Sequence, residues 1–165
     1  MSPPPPLPPS PPHPLSFTGR VIRAGRAEGT ALVSPAPIGF LGGVDGNTGI
    51  VTEKEHPLEG QCVAGKVLVF PTGKGSTVGS YILYQLAVNG VAPAAILNAE
   101  SEPIVAVGAI IADIPMVDQL PIEEIHTGDY VTVNNEQVQV KKNLIVTQTF
   151  STDLTNSFRC IRSIR

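Results

Sequence analysis

The sequence predicts a mixed α/β domain with a barrel-like β core. Three features carry that expectation: apolar runs of strand length closed by glycine or proline, one hairpin with period-two alternation, and one amphipathic helix set between strands. The chain has 165 residues, 42% of them hydrophobic and only 15% charged. That is the length of one ordinary domain, able to bury roughly two-thirds of its unfolded surface.

Each element has its own signal. Residues 19–23 and 30–34 are short strand-like runs separated by glycines. Residues 66–70 form an apolar run closed by Pro71, the pattern of a strand buried on both faces. Residues 94–97 and 108–112 are two more runs of that type. A helix is predicted over residues 77–89, where Val78, Ile82 and Leu86 form a stripe with Leu83 and Ala87 beside it, and Gly90 is the stop. Residues 130–133 and 137–140 alternate around Asn134 and Asn135, which reads as a hairpin.

The ends differ from this body. Nine of the 17 prolines fall in residues 1–14, so residues 1–16 read as a proline-rich, disordered or polyproline II tail. The folded domain is expected over residues 17–150. Residues 151–165, with Arg159, Arg162 and Arg165, read as a C-terminal extension.

Several function classes are disfavoured. A net charge of −3 and the absence of tryptophan argue against a nucleic-acid surface. The longest apolar stretch, residues 104–112, is far short of the roughly 20 residues a membrane helix needs. Cys62 and Cys160 lack the spacing of a metal site. The N-terminus has no basic segment followed by an apolar one, so a cytoplasmic location is expected.

The chemistry is concentrated in residues 70–80, where a buried strand runs into a glycine-rich turn that opens onto the helix. Such a junction aims backbone N–H groups at one spot, with the positive end of the helix dipole behind them. Gly73 and Gly75 leave room for an anionic ligand, Lys74 offers a cation, and Ser76 stands just ahead of the helix. On spacing alone Ser76 is either a helix N-cap or part of an anion site, and both readings stay open. The stretch is not a Walker A loop, because Lys74 is followed by Gly75 rather than Ser or Thr.

A second glycine cluster spans residues 38–49 and includes Gly42, Gly43 and Asp45. It reads first as a long connecting loop with turn glycines, and otherwise as a close approach to something. Asp45 and His56 are candidate polar groups, and Glu100 and Glu102 are a possible carboxylate pair. There is no Ser/His/Asp set, no metal constellation and no dinucleotide fingerprint. One decorated loop without a complete catalytic set is half an active site, which points to a partner subunit.

Taken together, Gly42-Gly43-Val44-Asp45, Thr48-Gly49, His56-Pro57-Leu58, Gly65-Lys66-Val67-Leu68, Gly73-Lys74-Gly75-Ser76-Thr77-Val78-Gly79-Ser80, Ala92-Pro93-Ala94, Glu102-Pro103-Ile104 and Ile114-Pro115-Met116-Val117-Asp118 occur in that order. The sequence thereby resembles the small subunit of the aconitase X family, and within it the archaeal phosphomevalonate dehydratase type. The likeness covers about residues 19–133 and leaves both ends outside.

The resemblance implies a swivelling β/β/α domain, equivalent to the mobile domain of aconitase, and a heterodimer with a large subunit. That large subunit would hold an iron–sulfur cluster of the 4Fe–4S type, whose iron acts as a Lewis acid on the leaving hydroxyl. The implied reaction is dehydration of (R)-5-phosphomevalonate to trans-anhydromevalonate 5-phosphate in a modified mevalonate route to isoprenoids. By the same resemblance Ser76 is the proton acceptor, while Gly73, Lys74, Gly75, Thr77, Gly42, Gly43 and Asp45 face the substrate cleft or the partner. Ser80, the other serine of the motif, is read as structural. Alternatives are another aconitase X dehydratase, such as one acting on cis-3-hydroxy-L-proline, a non-catalytic anion-binding module, or a scaffold acting through the proline tail.

Overall fold

Eight short strands and two helices follow one another along the chain: β1 (Leu15–Thr18), β2 (Arg20–Arg23), β3 (Arg26–Val33), β4 (Val67–Phe70), α1 (Gly79–Val88), β5 (Ala95–Asn98), α2 (Pro103–Ile111), β6 (Met116–Asp118), β7 (Tyr130–Asn134) and β8 (Gln137–Lys141). They are seen in a computed structural model that describes residues 2–6, 14–74 and 78–142. The proline-rich tail expected over residues 1–16 is therefore described only at its two ends, and the expected extension over residues 151–165 lies outside the described residues. No helix among the described residues is long and apolar enough to cross a membrane.

The strands form a mixed sheet in the order β1-β8-β7-β3-β4-β5-β6-β2. From β3 to β6 the pairings are parallel, and the others are antiparallel. β3 serves two partners: its residues 26–30 pair with β7 and its residues 31–33 with β4. The first and last strands of the order are separated in sequence by Gly19 alone, so the sheet curls back on itself as a nearly closed barrel. The Gly19 N–H donates to the Glu136 carbonyl at 3.0 Å. A Cβ at Gly19 would lie 2.5 Å from both the Asp118 carbonyl oxygen and the Val117 side chain, so only glycine fits this joint.

The parallel strands are buried on both faces, which explains why they read as unbroken apolar runs. Val67 and Val69 of β4 enter a core with Ala31, Leu97, Val131 and Val140 inside the barrel. Leu68 and Phe70 point the other way, to a core with Leu83, Leu86, Val105, Ile38 and Phe40. The layers are therefore antiparallel sheet, parallel sheet and helices, the β/β/α arrangement.

Three sequence expectations need correction. Residues 108–112 are not a strand but the end of α2 and its C-cap. An apolar run alone does not separate a buried strand from a buried helix, and here the N-terminus decides. The Glu102 carboxylate accepts from the N–H groups of Ile104 and Val105, both at 3.0 Å, and Pro103 opens the helix. In α1 the buried residues are Gly79, Leu83 and Leu86, whereas Val78 is 45% exposed. Packing on α2 turns the helix away from the stripe read from spacing. The hairpin is present, but its turn is Asn135-Glu136, with Asn135 at φ 54°, and Asn134 pairs with Gln137.

The barrel seam is held by a carboxylate. Arg20 of β2 donates through Nε and a terminal nitrogen to the two oxygens of Asp118, at 3.0 and 2.7 Å, and the Ser101 N–H donates to the same carboxylate at 3.1 Å. Asp118 is fully buried. Burial pushes its carboxyl up, but the hydrogen bonds from Arg20 and Ser101 and the Arg20 charge outweigh that, so it sits below the ordinary 3.8.

Two outcomes are expected. Gly19→Ala overpacks the joint and lowers stability by about 1–3 kcal/mol, readable in a urea melt; an unchanged midpoint would mean that the seam is loose. Because the native Asp118 group is depressed, its contribution is complete above the ordinary value of 3.8 and is lost as pH falls through the lowered native value. The gap in Tm between wild type and Asp118→Asn therefore narrows on acidification through that window. A gap independent of pH would remove Asp118 from the acid response.

Candidate functional site

The strand β4 ends at Phe70, and the chain then climbs through Pro71, Thr72, Gly73 and Lys74 over the C-terminal edge of the parallel sheet. In open α/β sheets that edge is where ligand sites collect. A second segment is laid beside the first by a parallel bridge between Ile38 and Gly73. Ile38 N–H donates to the Thr72 carbonyl at 3.3 Å, and Lys74 N–H donates to the Ile38 carbonyl at 2.9 Å. This register brings the glycine cluster of residues 38–49 to Lys74.

Gly73 is also pressed against α2. A Cβ there would lie 2.5 Å from Val105 and 3.3 Å from Glu102, so the absence of a side chain lets the first turn of α2 close on the loop. The start of α1 completes the set, with Gly79 lying between Phe40 and Ile104. The loop after β4, the turn at residues 39–43 and the first turns of both helices thus meet in one place.

The two helix starts differ electrostatically. α2 is capped by the Glu102 carboxylate, which occupies its first N–H groups. α1 begins at the N-cap Val78, which makes no side-chain cap, and has no acidic residue in its first turn. A helix start of that kind is compatible with an anion. Whether Ser76 caps this helix lies outside the described residues.

Lys74 is held by a residue that sequence spacing did not single out. Its Nζ lies 2.5 Å from Glu53 Oε1. The N–H groups of Thr52 and Glu53 both donate to the Gly43 carbonyl, at 2.9 and 3.3 Å. The carboxylate and the glycine turn are thereby fixed together. Twenty-one residues separate Glu53 from Lys74, and only the loop's path joins them.

The other expected groups divide. Gly42, Gly43, Gly73 and Lys74 come together. Asp45 does not join them: its carboxylate accepts from Asn47 N–H at 2.8 Å in a local turn, and the next residue, Gly46, lies against Gln85, well along α1. Gly75, Ser76 and Thr77 lie outside the described residues. His56 has its Nε2 3.1 Å from the Pro37 carbonyl, and its Nδ1 accepts from Leu58 N–H at 3.0 Å. That pattern fixes the tautomer with the proton on Nε2 and makes the ring a brace for the loop. Glu102 is a helix cap and is not paired with Glu100. Ser80 lies with its backbone against Gly108 of α2.

Sequence reasoning also passed over Asn98, which ends β5 and is fully buried. Its Nδ2 donates to the Phe70 carbonyl at 2.9 Å, while Oδ1 has no hydrogen-bond partner among the described residues. A buried acceptor left unpaired costs about 1–3 kcal/mol, and it lies at the edge that carries the site. Among the described residues no three His, Cys, Asp or Glu side chains converge as a metal site. They do not fit an iron–sulfur cluster.

Comparison with known proteins agrees with the fold. A family model for the aconitase X swivel domain matches residues 16–142. The phosphomevalonate dehydratase small subunit of Methanosarcina acetivorans is 58% identical over 127 residues, covering 75% of this chain and 88% of that one. The protein of the same name from Methanocella arvoryzae is 61% identical over 123 residues, covering 73% of this chain and 93% of that one. Among solved structures, the holo form of Thermococcus kodakaraensis aconitase X matches with a TM-score of 0.76 at 52% identity. That match covers 78% of this chain and 99% of that chain.

Paired substitutions separate packing from charge at this site. Glu53→Gln removes an ion pair whose lysine is half exposed, so stability changes by less than about 1 kcal/mol. Gly73→Ala drives a methyl into Val105, which is buried, and costs about 1–3 kcal/mol. Thermal melts of the two variants check the contrast. Equal losses would mean that the ion pair holds the loop as firmly as the α2 packing does.

Proposed function

The chain belongs to the aconitase X swivel-domain family, and from that membership we propose that it is the small subunit of a heterodimeric hydro-lyase. Its substrate is (R)-5-phosphomevalonate, and its product is trans-anhydromevalonate 5-phosphate, in a modified mevalonate route to isoprenoids. The small chain contributes the proton acceptor, Ser76, and works only with a larger subunit. The cytoplasm is the proposed location.

The observation that carries this reading is the junction after β4, where Gly73 and Lys74, held beside the glycine turn of residues 39–43, lead towards the start of α1. Ser76 stands two residues beyond Lys74 and two before Val78 in the chain. Dehydration requires a base to take a proton from the carbon next to the one that loses its hydroxyl. That C–H electron pair becomes the new double bond as the C–O bond breaks, and the departing hydroxide takes up one proton, so that the proton removed and the hydroxide lost sum to one water.

A serine hydroxyl is a weak base unless its oxyanion is stabilised. The leading amides of α1 and the Lys74 ammonium are groups that favour a negative oxygen, and both act more strongly in a site closed to water. Gly42 and Gly43, fixed to Thr52 and Glu53, form the facing wall. Gly73, Lys74, Gly75 and Thr77 are proposed to bind the substrate or line the cleft, with Asp45 shaping the turn behind it. From the same family membership we assign the iron–sulfur cluster to the larger subunit.

The test is an anaerobic assay of the chain co-purified with its larger subunit, using (R)-5-phosphomevalonate. Turnover is expected only when both chains are present. Ser76→Ala is expected to lower kcat by about 10²–10⁴, the range of a general base, while the complex still forms. Full activity in Ser76→Ala would return that serine to a structural role, and activity of the chain alone would refute the two-subunit reading.

A further inference from the structure

We propose that the outward face of α1 and α2 is the surface on which the larger subunit docks. The inference rests on the two-subunit reading above and adds to it which face of this chain makes the contact.

Neither helix carries an Asp, Glu, Lys or Arg: α1 reads GSYILYQLAV and α2 reads PIVAVGAII. A helix on the surface of a free-standing domain ordinarily turns a charged or polar side to water. Here the outward side is apolar and aromatic. Tyr81 is 63% exposed, Val88 65% and Ile111 55%. Val78, Tyr81, Tyr84 and Val88 share the outer side of α1, and Tyr81, Tyr84 and Ile111 line a groove of about 240 Å³ between the helices. Tyrosines that present a flat apolar body and a polar tip are typical of interface cores. The antiparallel sheet on the far side of the molecule is built differently, with Gln137 and Gln139 of β8 exposed.

The position of this face selects the occupant. It reaches the candidate site, because Gly79 at the start of α1 lies beside Phe40 of the glycine turn, whose neighbour Leu41 is half exposed and whose Gly39 lies against Lys74. Whatever covers the helices also reaches the mouth of the site. A second copy of this chain packed here would wall off that mouth from the rest of the active site. A larger subunit carrying the remaining groups would instead be brought up to it. Its complementary surface is therefore a charge-free, apolar patch that receives Tyr81 and Ile111, adjacent to the substrate pocket.

The experiment uses the full chain and its larger subunit, with affinity read by sedimentation and helix protection by hydrogen exchange. Tyr81→Glu and Ile111→Glu are each expected to weaken the complex at least a hundredfold without changing the Tm of the chain alone. Gln139→Glu on the opposite face is expected to leave it unaffected, and the amides of residues 79–88 and 103–111 gain protection only in the complex. If the wild type forms no complex, the two-subunit reading itself falls. If the complex forms and both glutamate variants bind like wild type, only the assignment of the face is overturned. Protection in the isolated chain that grows with its concentration would make the occupant a second copy. Protection independent of concentration and lost on deleting residues 143–165 would make it the chain's own end. Either result overturns the proposal.

Discussion

The fold depends on one joint. β1 and β2 stand at opposite ends of the strand order, yet a single residue, Gly19, connects them. That residue touches the Glu136 carbonyl on one side and the Asp118 carbonyl on the other. A barrel closed in this way has few edges to protect and no freedom to slide, because a shift in β1 would be a shift in β2. The Arg20–Asp118 contact locks the second half of the joint. Through Ser101 it also sets where the chain leaves β5 for α2. The first turn of α2, and with it the wall behind Gly73, inherits its position from the seam.

From that seam the placement of the site follows. The parallel strands β4 and β5 end together, at Phe70 and Asn98, and the side-chain amide of Asn98 ties them. The chain above this edge crosses from strand to helix twice, once into α1 and once into α2. The crossing into α2 places Glu102 on the first amides of that helix, and α1 has no acidic residue in its first turn. Glu102 thereby gives the start of α2 a structural role.

Much of this was legible in the sequence, for physical reasons that can be named. Val67, Leu68, Val69 and Phe70 announce a strand buried on both faces because every residue must be apolar there. Gly73 and the run into α1 announce a tight strand-to-helix junction, because a side chain at Gly73 would collide with Val105. The second helix was misread because Val107, Ile110 and Ile111 are apolar on a side that faces outward, which hides the helical period. The Lys74–Glu53 contact was illegible because it depends on the path of a loop, and no local pattern records that path. Asn98 was illegible for a related reason, since an unpaired acceptor shows only once its surroundings are known. β6 was missed because it has only three residues, too few for a period to appear.

The pairing of β1 with β8 sets Leu15 opposite Val140. The chain therefore enters and leaves the barrel at the same corner, on the sheet layer and away from the helices. In evolutionary terms, that corner is a permissive port. Segments of any length or composition can be added or removed there, and the two ends could be spliced together with new ones cut elsewhere, without rearranging the strands that carry the site. Fusion to a neighbouring gene at either end would thus leave the working edge of the domain as it is.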